Sequence, residues 1–173
     1  MTSCTAAFRR IGPIAGVLVT TLVGPASAQP ALPNAISEPG GVPLMTTHAV
    51  GAQISACVAG TTGQPSWQFR EPIASLIRDG RTVGRHFAGP GWELADGSLV
   101  TGKVIGHVAG ETAADIPWLK LEAAAGGRGQ FAAVTVIQRI NTKGGVLAGP
   151  CETVGELTAV PYAADYVFLG RPQ

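Results

Sequence analysis

From residue 48 the chain alternates. In "HAVGAQISACVAG" Val50, Ala52, Ile54, Ala56 and Val58 fall on one side, and Gln53, Ser55 and Cys57 on the other. A period of two, carried by small and β-branched residues, predicts a strand. In "WQFREPIASLI" Trp67 and Phe69 also alternate, whereas Pro72 followed by Ile73, Ala74, Leu76 and Ile77 also fits one short helix, since proline suits a first helical turn. Asp79-Gly80 is a hairpin-type turn. "RTVGRHF" is the next strand, broken by Gly89-Pro90-Gly91; "WEL" resumes it and Asp96-Gly97 turns again. "SLVTGKVIGHVAG" is a strand with a bulge expected at a glycine.

Beyond it, "IPWLKLEAA" sets Ile116, Trp118 and Lys120 against Leu119 and Leu121. "QFAAVTVIQRI" is apolar on both faces and predicts a central strand, and "GELTAV" and "DYVFLG" close the domain. About seven to ten short strands, Gly/Pro turns and at most one short helix predict an all-β class: a single-domain antiparallel sandwich or barrel, with one face of each strand buried.

The first 47 residues follow other rules. Arg9 and Arg10 precede an apolar run, Ile11 to Gly24, and Ala26-Ser27-Ala28 supplies a small-x-small cleavage pattern. Residues 1–28 therefore read as a secretory signal peptide, and the run falls short of the roughly 20 residues of a membrane span. Residues 29–47, with four prolines and Gly40-Gly41, predict an extended, poorly ordered arm, and 48–173 the single β domain. No membrane span is expected in the mature form.

Removing Arg9 and Arg10 leaves ten Lys and Arg against eleven Asp and Glu, a net charge of −1. Such a balance offers nucleic acid no bulk attraction. Cys4 leaves with the signal, so Cys57 and Cys151 remain. In an oxidising periplasmic or extracellular compartment a lone pair predicts a disulfide, which would restrict the unfolded chain by roughly 4 kcal/mol in the entropy picture.

"VGRHFAGPGWELADGSLVTGKV", "IPWLKLEA", "GQFAAVTVIQRINTKGGV" and "VPYAADYVFL", with Cys151 between the last two, resemble the DUF3455 family of exported bacterial and fungal proteins of unknown function. The matching positions include Gly84, His86, Gly89, Pro90, Trp92, Glu93, Asp96-Gly97-Ser98, Gln138, Arg139, Tyr162, Tyr166 and Phe168. The resemblance spans about 48–169 and implies export and one β-rich domain, but no activity.

"GRHFAGPGWELADGS" holds the candidate site: His86, Trp92, Glu93 and Asp96 around a glycine-proline corner. A carboxylate beside His86 would fix its tautomer and raise its basicity, as general-base chemistry or metal ligation requires. The plainer reading has His86 tying down a loop and Trp92 filling the core. Arg139 either pairs Glu93, Asp96 or Glu122 as a structural tie or lines an anion-binding pocket. His48, His86 and His107 lack close ligand spacing, and no metal or cofactor is expected. "GGRGQ" at 126–130 lacks the full dinucleotide spacing, Ser98 lacks a nucleophile elbow, and Tyr162 and Tyr166 read first as core. The sequence thus favours an exported, disulfide-stapled binding or envelope-associated module, its partner a small ligand or an envelope component. The alternative is a secreted enzyme or metalloprotein using His86 as base or metal ligand.

Overall fold

The first strand reverses the sense of its own alternation. In β1 (Val42–Ala59) the buried positions are Met45, Thr47, Ala49, Gln53, Ser55 and Cys57, and Val50 lies 48% exposed. The mixed polar set faces inward and the β-branched set outward. The reason is tertiary: β1 pairs with a neighbour along both edges, and its inner face lines a closed, partly polar lumen.

The computed structural model describes Met1 and residues 32–60 and 63–172; the expected signal peptide beyond Met1 and residues 29–31 of the arm lie outside the described residues. The described strands are β1, β2 (Pro65–Arg78), β3 (Arg81–Phe87), β4 (Gly91–Leu94), β5 (Leu99–Val108), β6 (Trp118–Ala125), β7 (Val136–Gly144) and β8 (Leu157–Gly170). Each pairs antiparallel with the next, and β8 pairs with β1, so the sheet closes into a barrel. Closure removes the edges that an open sheet leaves to aggregation.

Three sequence expectations change. Pro72 starts no helix: it lies buried within β2, which runs unbroken, and it pairs with Gln53. "QFAAVTVIQRI" is a strand only from Val136; Phe131 and Val134 before it are buried in the core from a turn-rich loop. The arm also contributes structure. β1 takes Val42 to Thr47, and the segment before it straps the outer face of β6 and β7. There Ile36 is fully buried, the Gln138 amide donates to the Ile36 carbonyl at 2.6 Å, and Lys120 donates to the Ser37 carbonyl at 2.8 Å while pairing Glu38 at 2.6 Å.

An antiparallel meander puts alternate connections at opposite ends. The β2–β3 and β4–β5 turns and the β6–β7 loop share one end, which Met45, Leu76, Leu94, Phe131, Val134 and Phe168 fill. The β3–β4 corner, the β5–β6 loop and the β7–β8 loop share the other. There Cys57 and Cys151, 94 residues apart in sequence, form a disulfide with a Cα–Cα separation of 5.8 Å that ties the β7–β8 loop to β1. Trp67 reinforces the tie by donating its indole N–H to the Pro150 carbonyl at 3.1 Å.

Candidate functional site

The open end of the barrel holds a cavity of about 590 Å³. Its interior follows from register. His86 on β3 pairs with Ala74 on β2 and with Trp92 on β4, and Trp92 pairs with Val100 on β5. Opposite residues of an antiparallel pair share a face, so all four point into the lumen. Arg139 pairs with Leu119 and with Tyr166, which brings those three onto the same inner wall. Gln53, Ser55, Leu121 and Leu147 complete the lining, with Trp67 and Phe69 among the residues at the mouth.

Alternation also separates what lies adjacent in sequence. Arg85 and Glu93 pair on the outer face, at 2.6 Å between Nη2 and Oε2, away from His86. Asp96 sits at the far end of the hairpin. It accepts from the Ser98 hydroxyl at 2.6 Å, the Ser98 amide at 2.9 Å and the Gln130 amide at 3.0 Å. Those bonds, led by the Ser98 hydroxyl, hold its carboxyl at a pKa of about 2, in a turn and not in the cavity. The structure thus brings together His86, Trp92 and Arg139, and leaves Glu93 and Asp96 outside. Tyr166, Gln53, Leu119 and Leu121 join the site from strands that the motif around residues 84–98 does not cover.

His86 is 3% exposed. Its Nδ1 lies 2.8 Å from the Gly91 carbonyl, an acceptor only, so Nδ1 carries the proton and Nε2 keeps the ring's lone pair. The imidazole stacks on Trp92 with ring centres 4.5 Å apart and planes 8° apart, and Tyr166 packs against both rings. Burial, opposed by the Gly91 hydrogen bond and helped by the nearby Arg139 charge, lowers the His86 pKa from 6.5 to about 4. His86 is therefore neutral at physiological pH, oriented by a carbonyl and not by a carboxylate. The corner itself depends on glycine: a Cβ on Gly91 would stand 2.8 Å from the Phe87 ring.

Arg139 pairs none of Glu93, Asp96 and Glu122. Its Nε and Nη2 donate to the Pro117 carbonyl at 3.0 and 2.8 Å, leaving further guanidinium protons on the cavity side of the strand. Trp92 and Tyr166, each 1% exposed, and Gln53, 5% exposed, carry a buried indole N–H, a hydroxyl and an amide nitrogen with no hydrogen-bond partner in the protein. Burial raises the titration of Tyr166 and Tyr162, so both phenols stay protonated; the Tyr166 hydroxyl has Tyr162 and Arg139 as loose hydrogen-bonding neighbours, neither contact being of good geometry. None of the described lining residues is acidic.

The three histidines do not converge. His48 pairs Asp165 at 2.8 Å on the outer face, His107 is exposed on β5 and His86 is inside. Among the described residues no group of three or more His, Cys, Asp or Glu side chains is arranged to hold a metal ion. No described helix is long and apolar enough to cross a membrane.

A profile of proteins of unknown function, DUF3455, matches residues 77–170. The chain belongs to the DUF3455 family. The matched segment opens at the last two residues of β2 and ends with β8, so the DUF3455 match contains His86, Trp92, Arg139 and Tyr166 but not β1, which closes the barrel between β2 and β8. No curated protein and no solved structure matches this DUF3455 chain.

Proposed function

We propose that this protein is an exported binding module that holds one small, largely apolar molecule in the open end of its barrel. A pocket of several hundred cubic ångströms with apolar walls and a few convergent polar groups is the usual form of a small-molecule site. The observation that carries the reading is the floor of the cavity. Six buried side-chain polar atoms among the described residues lack a protein partner of good geometry, and three of them, on Trp92, Tyr166 and Gln53, belong to residues that line the cavity, where a bound molecule would supply the missing bonds. Each such group left unpaired costs about 1–3 kcal/mol, a cost that packing Phe or Leu there would avoid.

Catalysis by His86 is the weaker alternative. Its Nε2 keeps a lone pair, but a base whose pKa is about 4 draws protons poorly at neutral pH. Export rests on the Arg9-Arg10, Ile11–Gly24 and Ala26-Ser27-Ala28 pattern and on the disulfide.

The test uses the neutral fluorophore N-phenylnaphthylamine. Saturable 1:1 binding is expected with the wild type, and Leu119→Trp, at the partly buried upper wall, should abolish it while the protein stays folded. Absence of saturable binding, or binding indifferent to Leu119→Trp, would refute the reading.

A further inference from the structure

The polar groups of the cavity differ in kind as well as in number. Trp92 Nε1 and Gln53 Nε2 only donate, the protonated Tyr166 hydroxyl donates, and Arg139 donates and carries a positive charge. The apolar lining lies beside them: Leu119, paired with Arg139, and Leu121 on β6, with Ile116 and the ring of Phe69 at the mouth. Against these donors stand the His86 Nε2 lone pair and the Ser55 hydroxyl; a lining richer in donors than in acceptors, with Arg139 inside, Arg70 at the mouth and no carboxylate, is complementary to an acceptor that carries negative charge. The guanidinium fork matches a planar, two-oxygen anion in particular. Half of that fork is already engaged by Pro117, which leaves one edge for the ligand.

Resting on the cavity-binding reading above, we infer that the ligand is a monocarboxylate with an apolar body. Its carboxylate lies against Arg139, with the indole N–H of Trp92 and the hydroxyl of Tyr166 as further donors, and its body lies along Leu119 and Leu121. Arg139 is the one cation on the described inner wall, which favours this head group over a phosphate monoester, whose second charge would have to reach Arg70 at the mouth. Arg70 lines only the mouth, half-exposed, where its Nε pairs Glu71 at 3.1 Å. Arg139 acts here as a binding residue, and Pro117 as the group that holds its side chain in place.

The experiment displaces N-phenylnaphthylamine with two matched molecules at neutral pH, para-butylbenzoate and para-butylbenzyl alcohol. A charge-assisted hydrogen bond inside a cavity is expected to favour the acid by about tenfold or more in the wild type. Arg139→Gln should bring the ratio to about one, Arg139→Lys should restore part of it, and Tyr166→Phe should reduce it. Where Arg139→Gln does not fold, the wild-type ratio and Tyr166→Phe decide. Equal displacement by acid and alcohol, a preference that survives Arg139→Gln, or tighter binding of para-butylphenyl phosphate would overturn the carboxylate assignment. Failure of the fluorophore itself to bind would instead count against the cavity reading, so the two failures are distinguishable.

Discussion

His86 carries the pH response of the fold. The folded protein protonates it near pH 4, the unfolded chain near 6.5. Between these values the unfolded chain binds more protons. Stability therefore falls as pH drops through that window, by about 3 kcal/mol in all, and this contribution is constant above it. Urea denaturation from pH 7 to pH 4.5 should show the loss, and His86→Asn should be less stable at pH 7 yet flat across the window. An equal slope in the variant would assign the effect elsewhere. Asp96 works in the opposite sense at lower pH: its hydrogen bonds stabilise the ionised form, and that contribution disappears only as pH falls below about 4 toward 2. Trp92 is the largest fully buried side chain and touches His86, Tyr166 and Phe168. Trp92→Ala should cost about 3–5 kcal/mol by opening a core cavity, read from the same denaturation curves.

At the scale of the strand, burial alternates more strictly than hydrophobicity does. Ile73 and Ala74 are neighbours on β2, but Ile73 is 56% exposed and Ala74 5%. Ile73→Lys should change stability by no more than about 0.5 kcal/mol, and Ala74→Lys should prevent folding by placing an unpaired charge beside Trp92 and His86. Thermal melts of the two variants give the comparison, and similar melting temperatures would contradict the assigned face. The segment around Ile36 behaves as part of the sheet's outer covering. Gln138→Ala should cost about 1–3 kcal/mol, because it leaves the Ile36 carbonyl without its donor in a buried place.

For the whole molecule, the disulfide and the open end belong together. Cys57 and Cys151 pin the loop that carries Leu147, a residue of the cavity wall. Reduction should lower the melting temperature clearly, since the bridge restricts the unfolded chain by roughly 4 kcal/mol in the entropy picture, and it should weaken fluorophore binding by freeing that wall. An unchanged melting temperature in dithiothreitol would remove the staple from the account. Export makes its own prediction: mass spectrometry of the protein from its producing cells should place the N-terminus at Gln29, and an intact Met1 would refute the signal peptide.

Local pattern was enough for some of this. The all-β class follows from period-two alternation between Gly/Pro turns, which no helix tolerates. The corner at Gly89-Pro90-Gly91 was legible for the same reason, and so was the cysteine pair, because only two cysteines follow residue 28. His86, Trp92 and Arg139 could be singled out by residue type. Their company could not. Glu93 and Asp96 lie near His86 along the chain but on another face and at another end, because consecutive strand residues point opposite ways and a hairpin carries its far turn away. Gln53 and Tyr166 reach the cavity from β1 and β8, whose pairing depends on closure of the sheet. Which face of β1 turns inward was also decided there: alternation fixes two faces, and only the lumen's own mixed lining chooses between them.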